Sequence, residues 1–98
     1  MEKYVEQTCI NAAEKILHQD FSRDEYCLNG ASESAICLDG ADGHWNVFLY
    51  ERNARENEIK HSNIVEALFD MFERLADKAG ADGLKEHFLA AIIGKQTA

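Results

Sequence analysis

The sequence predicts an α+β fold: an N-terminal helix, a three- to four-stranded antiparallel sheet, and two C-terminal helices packed on the sheet. Three observations carry that expectation. Apolar residues recur with a helical period near the N-terminus and again through the last third of the chain. Between those segments the period shortens to that of a strand. Gly- and Asn-containing breaks divide the middle into short runs.

The first helix is expected from about Lys3 to His18. Its pairs Tyr4/Val5, Thr8/Cys9, Ala12/Ala13 and Ile16/Leu17 fall four apart, which puts them on one face. Glu6, Glu14 and Lys15 lie towards the other side. Asp20 to Asp24 is a polar break, with Phe21 turned back onto the core. Glu25 to Leu28 is a short strand, followed by Asn29-Gly30, a pair suited to positive φ. Ser34 to Asp39 is the next strand. Gly40-Ala41-Asp42-Gly43 is the clearest turn. His44 to Arg52 is the strongest strand, with Trp45, Val47 and Leu49 on one side and Phe48 and Tyr50 on the other. Apolar residues on both faces mark it as central. Arg52 to His61 is charged, with Ile59 its only large apolar residue; it reads as a loop with a short strand around Glu58 to Lys60. Asn63 and Glu66 have capping-box spacing. Ile64, Leu68, Met71/Phe72 and Leu75 form the stripe of the next helix, which Gly80 is expected to stop. A last helix is expected from Leu84 to Ile93, capped by Asp82, with Leu84, Phe88 and Ala91/Ile92 inward.

Ninety-eight residues make one domain, residues 1–98. A chain this long builds one core and leaves little room for a deep cleft. Eighteen acids against ten bases give a net charge of −8. That balance repels nucleic acid and anionic membrane and attracts basic partners over distance. It also serves solubility by itself. No run of eighteen apolar residues is present to span a bilayer. The start, Met1-Glu2-Lys3-Tyr4, lacks the apolar stretch of a signal peptide. Three cysteines, Cys9, Cys27 and Cys37, sit in apolar surroundings and read as reduced core residues of a cytoplasmic protein.

Motifs for chemistry are scarce. Cys27, Cys37 and His44 do not have the close ligand pairs of a zinc site, and there is no CxxC or HExxH. No metal and no cofactor are expected. His18, His44, His61 and His87 occupy element ends, loops or helix surfaces, and no nucleophile elbow accompanies them. The turn at residues 40–43 carries Asp39 and Asp42, which repel phosphate, and lacks a P-loop lysine. Ten scattered bases draw no nucleic-acid footprint.

What stands out is acid. Glu66, Asp70, Glu73 and Asp77 recur at steps of three and four, spacing that sets them along one face of a helix. Asp39, Asp42, Glu51 and Glu56 form a second group in the strands and the charged segment. These eight are the expected partner-binding residues. Reversing Asp70 and Glu73 to lysine is expected to weaken binding and leave folding largely intact.

The order of elements, with Trp45-Asn46-Val47-Phe48-Leu49-Tyr50-Glu51-Arg52-Asn53 closing a strand and Asn63-Ile64-Val65-Glu66-Ala67 opening the helical end, resembles the small immunity proteins of bacterial polymorphic toxin systems, in particular those of contact-dependent growth inhibition. Asn53 stands where that group often has glycine. The resemblance implies a cytoplasmic monomer without enzymatic activity that neutralises, one to one, a cognate toxin domain, often a nuclease acting on tRNA and therefore basic. The alternative is a small acidic secretion chaperone, which would be a dimer on an extended peptide. A third possibility, an enzyme, would need titratable groups converging in a pocket.

Overall fold

The computed structural model describes the backbone of residues 2–41 and 43–97 and the side chains of residues 6–40 and 43–93. The N-terminal periodicity folds as helix α1, Glu2–Asp20. Cys9, Ala12, Ala13, Ile16 and Leu17 are buried along the expected face, while Tyr4 and Val5 lie outside the described side chains. Phe21 turns back onto the core, and its N–H donates to Leu17 O at 2.8 Å.

Four strands follow: β1 Tyr26–Leu28, β2 Ala35–Ala41, β3 His44–Glu51 and β4 Ala54–His61, in spatial order β1-β2-β3-β4. The β2–β3 and β3–β4 pairs are antiparallel, as expected. The β1–β2 pair is parallel, with Cys27 beside Cys37, so the sheet is mixed. Length explains the difference. Parallel neighbours usually need a crossover of about a dozen residues or more. A three-residue strand needs a return of only about two residue steps of ~3.3 Å each. Residues 29–34 supply that return, with Asn29 at φ 76° and both the Asn29 and Gly30 N–H groups donating to Leu38 O.

The hairpins obey their turn chemistry. Ala41 pairs with His44, and Gly43 has φ 82°. Glu51 pairs with Ala54, and Arg52 and Asn53 between them have φ 53° and 62°. Two consecutive positive φ values match the right-handed twist of the flanking strands. The second hairpin explains why Arg52 to His61 is not the expected loop. Its turn sets a register that holds an eight-residue edge strand although that strand carries almost no apolar pattern.

Helix α2, Ile64–Leu75, begins as its capping signal predicts: the Glu66 N–H donates to Asn63 Oδ1 at 2.9 Å. Its stop is not Gly80. Ala76 adopts an extended conformation, Asp77 Oδ1 accepts the Gly80 N–H at 2.7 Å, and helix α3 runs Lys78–Thr97. The last helix is therefore longer than Leu84 to Ile93, and Asp77 rather than Asp82 caps it. A Cβ on Gly80 would come within 3.0 Å of that capping oxygen, so glycine suits the first turn rather than a terminus.

The helices cover one face of the sheet: α2 lies against β2, β3 and β4, and α1 and α3 pack on α2 and on each other. Leu17, Leu38, Val47, Leu68, Met71, Phe72 and Phe88 are fully buried among them. Phe69, Phe72 and Phe88 join α2 to α3 with centroid separations of 5.9–6.3 Å. The opposite face carries a smaller cluster of Ala35, Cys37 and Phe48, with Cys27 and Tyr50 partly buried beside it. The Arg55 guanidinium lies 4.2 Å from the Phe48 ring centroid. β3 is thus central and covered on both faces, as its composition implies.

Candidate functional site

Cross-strand partners share a face of a sheet. Trp45 pairs with His61, Val47 with Ile59 and Leu49 with Glu56, so His61, Ile59 and Glu56 lie on the helix-bearing side of β4. α2 returns along that side. His61 Nε2 donates to Asp70 Oδ2 at 2.8 Å, and Arg74 Nη2 donates to Asn57 O at 2.8 Å. The two bonds tie the ends of the β4–α2 seam. Asn57, at φ 55°, sits where the ladder skips a residue between Val47 and Leu49. The β-bulge therefore turns its carbonyl to a partner outside the sheet.

A shallow depression of about 390 Å³ lies along this seam, lined by Ile59, His61, Glu66, Phe69, Asp70, Glu73 and Lys85. Ile59 is 50% exposed there. Lys85 reaches across from α3, its Nζ 2.6 Å from Glu73 Oε2 and 5.4 Å from the Phe69 ring centroid.

The structure brings together three of the eight expected acids and gives the others different surroundings. Glu66 and Glu73 are exposed beside Ile59 and Phe69. Asp70 shares that surface, but its side chain is only 15% exposed and accepts from His61, from Arg74 Nε at 2.9 Å and from Arg74 Nη2. Reversing Asp70 would set a lysine against Arg74 and His61, so Asp70 is part of the fold and unsuited to the charge-reversal test. Asp77 caps α3. Glu56 lies on the same side of β4, and Glu51 closes β3 at the far end of the hairpin. Asp39 is on the opposite face, paired with Arg55 and accepting from Asn46 Nδ2 at 3.1 Å. Asp42 lies outside the described residues. The sheet puts Asp39 on the face opposite Glu66, Asp70 and Glu73, while Glu56 shares their side of β4.

Sequence reasoning passed over Phe69 and Lys85. Both are placed by the α2–α3 packing, which no local pattern encodes. Ile59 did leave a signal, as the lone large apolar residue in a charged segment. Trp45 is buried, and its Nε1 donates to Glu6 Oε2 at 2.9 Å.

His61, Asp70 and Arg74 converge, yet no Ser, Thr or Cys is among the residues lining the depression. The thiols lie elsewhere. Burial pushes the Cys9, Cys27 and Cys37 thiols up, away from the thiolate that a nucleophile requires. Among the described residues no group of three or more His, Cys, Asp or Glu is placed to hold a metal ion. No helix there is long and apolar enough to cross a membrane. Comparison of the chain with protein-family models, curated proteins and solved structures returns no match.

Proposed function

We propose that this protein is an immunity protein, which binds a basic toxin domain one to one in the cytoplasm of the cell that makes it and blocks that domain's active site or substrate channel. The observation that carries the reading is the β4–α2 seam: carboxylates of Glu66, Asp70 and Glu73 around the apolar pair Ile59 and Phe69, in a chain of net charge −8. A nuclease needs a positive groove for its phosphate backbone. An acidic surface competes for that groove, and long-range attraction speeds the encounter. The apolar centre supplies desolvated contact area, which carries most of the energy of a protein interface.

The direct test is protection. The C-terminal toxin domain of an effector encoded immediately upstream would be induced in cells with and without this protein. Restored growth and a one-to-one complex on size exclusion are expected. Continued growth arrest with this protein present, together with separate elution of the two chains, would refute the reading.

A further inference from the structure

The β4 edge is guarded along its length except at one place. Arg55, Glu56, Glu58 and Lys60 put charge on both faces of the strand, and the bulge at Asn57 interrupts its ladder. Such features discourage the addition of another strand. Ile59 breaks the pattern. It is β-branched and apolar, it pairs with the buried Val47, and half of its surface meets solvent on the α2 side. Phe69 lines the same depression; of the three carboxylates on its rim, Asp70 is bonded to Arg74 and His61 and Glu73 to Lys85, while Glu66 is exposed.

We infer that the Ile59–Phe69 depression seats an apolar side chain of the toxin domain, flanked on the toxin by lysine or arginine. This rests on the immunity reading above and adds the place and chemistry of the anchor. Lys85 already displays the bonding a partner cation would use. It meets a carboxylate, Glu73, and the face of Phe69 together. Glu66, on the same rim, offers a second carboxylate to a cation from outside. The net charge of −8, with Glu66 exposed on the rim, opposes an acidic peptide or a phosphate backbone. A second copy of this chain would bring another −8 and the same rim, so self-association there is opposed by charge. The guarded edge favours side-chain insertion over backbone pairing.

The test titrates the upstream effector's toxin domain into wild-type protein, Ile59→Asp and Ile59→Ala by calorimetry. Ile59→Asp separates two effects with opposite signs. It makes the chain more negative, so attraction by net charge alone would leave affinity unchanged or raise it. Loss of the apolar seat lowers affinity, by at least tenfold for Ile59→Asp and several-fold for Ile59→Ala. Ile59→Ala keeps the test decisive if the aspartate perturbs the edge strand. Wild-type binding with both variants equally tight would overturn the seat and leave the immunity reading standing. Absence of wild-type binding would overturn that reading and the seat with it. A concentration-dependent dimer abolished by Ile59→Ala would give the depression to a second copy and also overturn the inference.

Discussion

Tyr26 shows at the scale of a single residue what the core tolerates. Its ring is buried, and among the described residues nothing hydrogen-bonds its hydroxyl. Burial, with help from the Glu14 carboxylate, pushes the phenol's pKa up. An unpaired buried hydroxyl costs ~1–3 kcal/mol of desolvation. Tyr26→Phe removes that oxygen and keeps the ring, so it should stabilise the protein by about 1 kcal/mol in urea unfolding. A loss of about 1 kcal/mol or more would mean that the hydroxyl is bonded in solution. Trp45 is the contrasting case, a buried polar aromatic whose N–H is met by Glu6. Its ring lies over Gly40, its cross-strand partner, where an added Cβ would come within 2.9 Å of it. Trp45's place on one apolar face of a central strand was legible in the sequence. Glu6 as the indole's partner was not, because that contact joins residues 39 apart in the chain.

At the scale of elements, the helical stripes were the most legible part of the chain. Among the described residues, burial follows the expected positions in all three helices, since one face of each must leave water, though Leu75, Ala91 and Ile92 are only partly buried. Elements held by register and capping were less legible. β4 carries mostly charge and is fixed by the positive-φ pair Arg52–Asn53 and by its pairing to β3. Only a three-residue β1 allowed the parallel pairing with β2. The α2–α3 break falls at Ala76–Asp77 because a capping carboxylate there can meet the Gly80 N–H. Read as a run of acids, Asp77 looks like part of a binding face; in the fold it holds a helix end. Asp77→Ala should therefore cost about 1 kcal/mol and lower hydrogen-exchange protection in the first turn of α3, with little change in the sheet. Unchanged protection in that turn would show that the cap contributes nothing.

At the scale of the whole molecule, the sheet divides the acids into two populations. Asp39 and Glu58 are held by Arg55 on one face, where the guanidinium also covers Phe48. Side-chain bonding to those two carboxylates pushes the Arg55 pKa up further. Glu66, Asp70 and Glu73 frame an apolar depression on the other side. The charge excess was plain in the composition. Which carboxylates share a surface, and which hold the fold, emerged only once tertiary packing set α2 against β4. On the proposed function, the exposed Glu66 and Glu73 and the net charge of −8 draw in a positively charged protein surface. Stopped-flow association of the upstream effector's toxin domain at rising ionic strength tests it most directly. Screening shrinks from ~30 Å at 0.01 M to ~3 Å at 1 M salt, so the association rate should fall by about tenfold or more across that range. A rate that stays level with salt would contradict the claim.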